Sequence, residues 1–218
     1  MNGWDRRVLI IAPHADDETL GCGGLIRSLA RENKAPQLVV LTLGRTPPGS
    51  HDQSLGELCA AMSVLGITGE NHVIFPGSQG RLDTVPMTDI VTALDEQIRR
   101  VQPTAVFFPY ASHHQDHEVT YRAVLAALRP RPVTTAIQLV ALYEYPYAAS
   151  WPPPLLPGGK FHRALNPGDL EAKVRAFSKY ESQHAWLDPA MVEAWARTRG
   201  REVGIDAAEA FWAVRGWL

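Results

Sequence analysis

The chain has 218 residues, 45% hydrophobic and 20% charged, with a formal net charge of −2. That balance suits a folded α/β unit with a sizeable core and excludes the electrostatic footprint expected of a nucleic-acid or anionic-membrane binder. The apolar run near the N-terminus, Val8 to Ala12, is far short of the roughly 20 residues of a membrane span, and Cys22 and Cys59 make neither a framework nor a CxxC pair; the expected setting is the cytoplasm.

In chain order, Val8 to Ala12 reads as a buried strand and Thr19 to Arg31 as a helix with Leu20, Leu25, Ile26 and Leu29 on its apolar face and Asp16 or Asp17 as its cap. Gln37 to Leu43 reads as a second strand, and Ser54 to Leu65 as a second helix stopped by Gly66. Val73 to Phe75 is a short third strand, Met87 to Val101 a third helix, and Ala105 to Tyr110 a fourth strand. His117 to Leu128 is a fourth helix and Ala136 to Tyr145 a fifth strand. Ser150 to Gly159 (SWPPPLLPGG) reads as a linker or cover loop. Beyond it, helices are expected at Asp169 to Glu181, capped by Asp169, and at Met191 to Thr198, followed by an apolar tail from Ala207 to Trp217. Strands that are apolar throughout and alternate with helices imply a mostly parallel sheet covered on both faces. The expected organisation is one domain over residues 1–218, with 1–149 as the α/β core and 150–218 as a C-terminal cover segment.

Two polar clusters fall at carboxyl ends of strands, where such sheets bind ligands. HADDE (14–18) follows the first strand and HHQDH (113–117) follows the fourth. Buried charges are costly unless paired, and a metal ion is the simplest common partner. Catalytic zinc takes three protein ligands and leaves one position for water. His14, Asp17 and His117 make a His₂Asp set that suits zinc, with iron or manganese as other divalent fits. Asp16, beside a ligand, is free to act as general base. His114 can donate to a developing oxyanion or protonate a leaving amine, with Asp116 expected to orient its ring and favour the imidazolium. An isolated run of acids at a helix start more often only caps it; the second histidine cluster reverses that balance. His51, His72, His113, His162 and His184 otherwise read as structural or exposed.

Other features have plainer readings. The glycines of Gly21-Cys22-Gly23-Gly24 fall inside the expected helix rather than in the turn before it, so close packing is favoured over a nucleotide or methyl-donor loop, and Cys22 reads as a packed thiol. The polar loop from Gly44 to Gln53 leaves the active edge and offers Arg45 and His51 as rim contacts. Trp151, Trp186 and Trp195 have the chemistry to stack on a sugar face, though each reads first as a packing residue.

Pro13-His14-Ala15-Asp16-Asp17-Glu18, with Thr19 to Gly24 after it, resembles the PHxDDE signature of the PIG-L/LmbE-like zinc N-deacetylases, and His114-Gln115-Asp116-His117 resembles their HxDH motif. Gly66 after Val64-Leu65, Lys173 with Ser182-Gln183, and Arg199-Gly200 with Ala208-Glu209-Ala210-Phe211 resemble further family segments. The resemblance implies a Rossmann-like three-layer LmbE-like fold, one zinc ion, and hydrolysis of an N-acetyl group on an amino sugar or its conjugate. By matching positions it implies His14, Asp17 and His117 as zinc ligands, Asp16 as base, and His114 stabilising the tetrahedral intermediate with Asp116 behind it. Ser54 stands where members often carry a substrate-holding arginine, three positions before Glu57, and Gln79-Gly80-Arg81-Leu82 replaces the usual DGxL turn. Arg81 and Arg45 are candidates to restore the charge. Ser112 stands where some relatives have tyrosine, leaving Tyr110 as the nearer aromatic. The partner expected is a small N-acetylated amino sugar or conjugate, with homo-oligomerisation left open. Competing readings are a metal amidohydrolase acting on a non-sugar amide, a non-catalytic sugar-binding relative, and a nucleotide enzyme using the glycine stretch.

Overall fold

A computed structural model describes residues 7–44, 51–67, 72–145 and 159–216. In chain order the elements are β1 (Val8–Ala12), α1 (Asp17–Arg31), β2 (Gln37–Val40), α2 (His51–Leu65), β3 (His72–Val73), α3 (Met87–Val101), β4 (Ala105–Pro109), α4 (Gln115–Ala127), β5 (Leu139–Tyr143), β6 (Lys160–Ala164), α5 (Pro167–Phe177), α6 (Pro189–Arg201) and β7 (Ala208–Gly216). The strands form one sheet in the order β3-β2-β1-β4-β5-β7-β6. Strands β1 to β5 pair in parallel, while β7 runs antiparallel to both β5 and β6.

Every residue of β1 (VLIIA) and β4 (AVFFP) is buried, as strands covered on both faces must be. From β1 the chain winds outward through β2 to β3, then returns to lay β4 on the other side of β1. Helices α1, α2 and α5 pack together, and α3 packs on α4. The reversal of winding puts these two groups on opposite faces and opens a crevice at the carboxyl ends of β1 and β4. Both polar clusters open into it.

The expected mostly parallel α/β fold is thus observed, with differences at particular elements. Helix α4 begins at Gln115, where His114 is the cap and accepts the Asp116 N–H. Helix α5 is capped by Asn166, not Asp169, with Pro167 opening its first turn. Strand β5 is shorter than the expected Ala136 to Tyr145: the 3₁₀ helix at Pro132–Thr134 continues as a turn through Ala136, and the strand runs only from Leu139 to Tyr143. Helix α2 stops where expected: Gly66 has a φ of +89°, and Ile67 N–H reaches back to the Met62 carbonyl at 2.9 Å. The C-terminal segment was expected to cover the core; α5 does lie on α1, but β7 and β6 also extend the sheet itself. The part of the expected linker at 150–158 lies outside the described residues, and among the described residues no helix is long and apolar enough to cross a membrane.

The glycines in α1 are explained by close approach. A Cβ on Gly21 would lie 2.1 Å from the Tyr143 ring, and one on Gly24 would lie 2.4 Å from Leu165. Beside them a buried ion pair engages the helix backbone. Lys173 Nζ donates to Glu209 at 2.6 Å and to the Leu20 carbonyl at 2.7 Å. The Glu209 carboxylate accepts the N–H groups of Gly24 and Leu25, both at 2.8 Å. Leu20 C=O and Gly24 N–H, partners in the ordinary helix ladder, both engage the pair. Cys22, fully buried beside it, has its thiol pKa pushed well up by burial and by Glu209, so it is the packed thiol expected.

Candidate active site

The turn from β1 into α1 carries His14, Asp16 and Asp17. Asp16 occupies the cap position of α1, but its side chain makes no capping bond, and its φ is 143° with ψ −32°. Such a backbone costs a non-glycine residue about 1–3 kcal/mol and points to a functional constraint. The constraint is visible: Asp16 N–H donates to Glu18 Oε2 at 3.0 Å. Glu18 is fully buried and is held in turn by Thr19 Oγ1 at 2.6 Å and by the Tyr180 hydroxyl at 2.5 Å. Sequence reading gave Glu18 no role beyond the motif; the Tyr180 partner lies 162 residues away and left no local signal.

Asp17 Oδ2 lies 3.2 Å from His14 Nδ1 and 3.2 Å from His117 Nε2. Zinc bonds of ~2.0–2.1 Å at tetrahedral angles put neighbouring ligand atoms roughly 3.3 Å apart, so these three residues fit a divalent ion. The rings of His14, His114 and His117 form a triangle with centroid separations of 4.8, 5.3 and 5.3 Å. Each ring offers a nitrogen within 4.8 Å of the other two, which brings His114 forward as a rival third ligand. Its tautomer argues otherwise. His114 Nδ1 accepts the Asp116 backbone N–H at 3.2 Å, which puts the ring proton on Nε2 and makes that nitrogen a donor rather than a ligand. His117 Nδ1 is buried without a hydrogen-bond partner among the described residues, a cost that marks the ring as functional.

Asp116 corrects an expectation. Its carboxylate does not orient His114. Oδ2 accepts from His14 Nε2 at 2.9 Å, and Oδ1 accepts from Leu82 N–H at 2.8 Å. With an ion bound, a carboxylate on the far nitrogen would keep the ring proton on Nε2 and leave the Nδ1 lone pair to the ion, the usual arrangement behind a ligating histidine. The expected imidazolium at His114 is likewise not found: burial, then repulsion from His14 and His117, holds its pKa down at about 4.

The other groups are shifted strongly. Burial favours the neutral ring of His14, but hydrogen bonds to Asp116 and Asp17 and the charges of Asp17 and Asp16 outweigh it and raise the pKa to about 10. Burial also opposes charge on Asp17, yet His117 and His14 hold its carboxyl well below the usual range. Asp16 goes the other way, raised by burial and by the Asp17 charge. Two adjacent carboxylates are thus driven apart, one locked as an anion and one able to take a proton.

Around this centre, Tyr145 follows β5 and sets its ring 4.4 Å from that of His117. Its hydroxyl donates to Ser112 Oγ at 2.5 Å. Tyr110, expected at the substrate, is only 2% exposed and packs between Tyr145 and Trp212; the aromatic beside the ligands is Tyr145, which sequence reading passed over although it ends a strand at the active edge. Arg81 is exposed and adjoins Leu82, whose N–H holds Asp116. Arg45 and the side chain of His51 lie outside the described residues, as does Trp151. Trp186 is 77% exposed, and Trp195 is covered by the Arg199 guanidinium at 4.4 Å.

The chain is similar to known proteins over much of its length. A family model for PIG-L, described as GlcNAc-PI de-N-acetylase, matches residues 9–128. The chain is 32% identical over 169 residues to the 1D-myo-inositol 2-acetamido-2-deoxy-α-D-glucopyranoside deacetylase of Kribbella flavida, a match covering 57% of this chain and 56% of that one. The chain therefore spans little more than half the length of that relative. Among solved structures, the conserved protein TT1542 from Thermus thermophilus superposes with a TM-score of 0.76 at 26% identity, covering 97% of this chain and 96% of that one. The N,N′-diacetylchitobiose deacetylase from Pyrococcus horikoshii superposes at 0.73 with 20% identity, covering 97% and 84%, and shares the fold.

Proposed function

The chain belongs to the PIG-L family, and from that footing we propose that it is a zinc-dependent hydrolase that removes an N-acetyl group from an amino sugar or an amino-sugar conjugate. The observation that carries the reading is the convergence of His14 Nδ1, Asp17 Oδ2 and His117 Nε2 at 3.2 Å steps, with Asp16 next in chain. His14, Asp17 and His117 would hold the ion, and zinc suits two imidazoles and a carboxylate. An ion there supplies Lewis acidity that brings the pKa of water down to about 7.

The residues around it do the rest. Asp16, its pKa raised by burial and by Asp17, takes the proton of the attacking water and passes it to the departing amine nitrogen. His114 donates from Nε2 to the acyl oxygen as negative charge grows there. Asp116 keeps His14 in its ligating tautomer. The C–N bond breaks and water supplies the new acetate oxygen and the amine hydrogen. Arg81, exposed beside Leu82, would meet the rest of the substrate, with Arg45 and His51 as further candidates for that role. The sheet shared by the first five strands and β7-β6 supports one domain over residues 1–218, and a cytoplasmic setting is in keeping with a buried reduced thiol at Cys22.

The test is acetate release by the zinc-loaded protein from N-acetylglucosamine, N,N′-diacetylchitobiose and a non-sugar N-acetylated amine. Sugar substrates should be turned over first. Asp16→Asn should retain zinc yet lose about 10²- to 10⁴-fold in kcat. Turnover of the non-sugar amine alone, absence of acetate release from all three, or an Asp16→Asn enzyme of native activity would overturn the proposal.

A further inference from the structure

The hydroxyls of Ser112 and Tyr145 form a pair whose hydrogens do not balance. Tyr145 O–H donates to Ser112 Oγ at 2.5 Å, and the His114 backbone N–H donates to the same oxygen at 3.2 Å. A serine hydroxyl has two lone pairs and one hydrogen. Both lone pairs are taken, so the hydrogen points elsewhere, and among the described residues nothing accepts it. The placement gives this spare donor meaning. Tyr145 lies against the His117 ring, 4.4 Å between centroids, while Ser112 is tied to the backbone of His114. The pair therefore spans the edge of the imidazole triangle between the proposed ligand and the proposed donor to the acyl oxygen. Tyr145 cannot shift freely: it is 6% exposed and stacks on Tyr110 at 5.8 Å.

We infer that Ser112 is a further catalytic residue, whose hydroxyl donates a second hydrogen bond to the acyl oxygen, and that Tyr145 is the positioning residue that aims it. The inference rests on the deacetylase reading for its substrate, but not for its geometry. An oxygen gathering negative charge gains most from donors fixed beforehand, and a serine whose acceptor sites are both filled has the direction of its hydrogen fixed.

Kinetics on N-acetylglucosamine and calorimetric binding of acetate, both with the zinc-loaded full chain, test the inference. Ser112→Ala should lower kcat about 10- to 100-fold with KM held within about threefold, as loss of one preset donor does. Ser112→Thr should restore kcat to within about threefold of native. Tyr145→Phe should cost about fivefold, and the double variant should be no slower than Ser112→Ala alone, because the two act as one unit. Acetate should bind both single variants about fivefold more weakly than the native protein, the equivalent of one neutral hydrogen bond. Losses that multiply in the double variant, failure of threonine to rescue, unchanged acetate binding, or a native protein that binds no acetate would overturn the inference. A native protein that binds acetate but releases none from any N-acetylated sugar would instead sink the deacetylase reading, leaving Ser112 to be judged by the binding arm.

Discussion

Replacing Asp116 by asparagine changes one atom and tests how the proposed metal site is built. The carboxylate is fully buried and accepts twice, from Leu82 N–H at 2.8 Å and from His14 Nε2 at 2.9 Å. An amide has one acceptor and one donor face, so it cannot serve both. If its oxygen stays on Leu82, its NH₂ faces His14 Nε2 and forces the ring proton onto Nδ1, removing the lone pair that would ligate. If the amide flips, its NH₂ meets the Leu82 N–H and leaves two buried donors opposed. Either way one buried polar group goes unsatisfied, at about 1–3 kcal/mol. Lost partners behind ligating histidines typically cost 10- to 100-fold in metal affinity, or ~1.4–2.7 kcal/mol, and the two estimates agree. Competition with a chromophoric chelator near neutral pH should therefore show zinc bound to Asp116→Asn 10- to 100-fold more weakly than to the native protein. An asparagine variant within about twofold of native would refute both the tautomer argument and the assignment of His14 Nδ1 as a ligand.

Two other expectations concern stability. Zinc at about 100 times its dissociation constant should stabilise the fold by about 2.7 kcal/mol, raising Tm by roughly 5–11 °C for a chain of this size; a melting curve unmoved by chelator followed by zinc would count against a built site. Lys173→Met leaves Glu209 charged and buried, and should cost about 3–5 kcal/mol, seen as a Tm lowered by roughly 6–20 °C. Adding Glu209→Gln should recover part of that loss, and a double variant less stable than Lys173→Met alone would contradict the pairing.

The parts of the fold that could be read from sequence are those whose burial is uniform. VLIIA and AVFFP have no polar position to confuse them, because both faces of β1 and β4 are covered. Strands β6 and β7 gave no such signal. β6 (KFHRA) is an edge strand with no fully buried residue, and β7 carries Glu209 inside its buried half. A carboxylate there breaks the apolar pattern, although it is satisfied by Lys173 and by two backbone N–H groups that no local pattern could reveal. The metal residues were legible for the opposite reason: polar side chains concentrated at strand ends have few bland explanations. Asp116 was misread because it stands two residues from His114. At the start of α4 such neighbours do not share a face, and the Asp116 side chain turns instead to His14, 102 residues away.

The C-terminal segment acquires its meaning from α1. Four of its side chains converge on that one helix. Asp169 holds Arg31 at its end through two bonds of 3.0 Å, Lys173 with Glu209 grips its middle, and Tyr180 holds Glu18 at its start. The last contact reaches the chemistry, since Glu18 accepts the N–H of the strained Asp16. An aspartate at positive φ persists only where its surroundings over-determine it, and here Glu18 is itself held by Tyr180, 162 residues further along the chain, in a segment that contributes none of the proposed ligands. The lysine and glutamate by which the tail resembles its family are thus supports for the turn that presents Asp16 and Asp17. They hold the helix that carries these acids at a fixed depth in the crevice, against the sheet that carries His14.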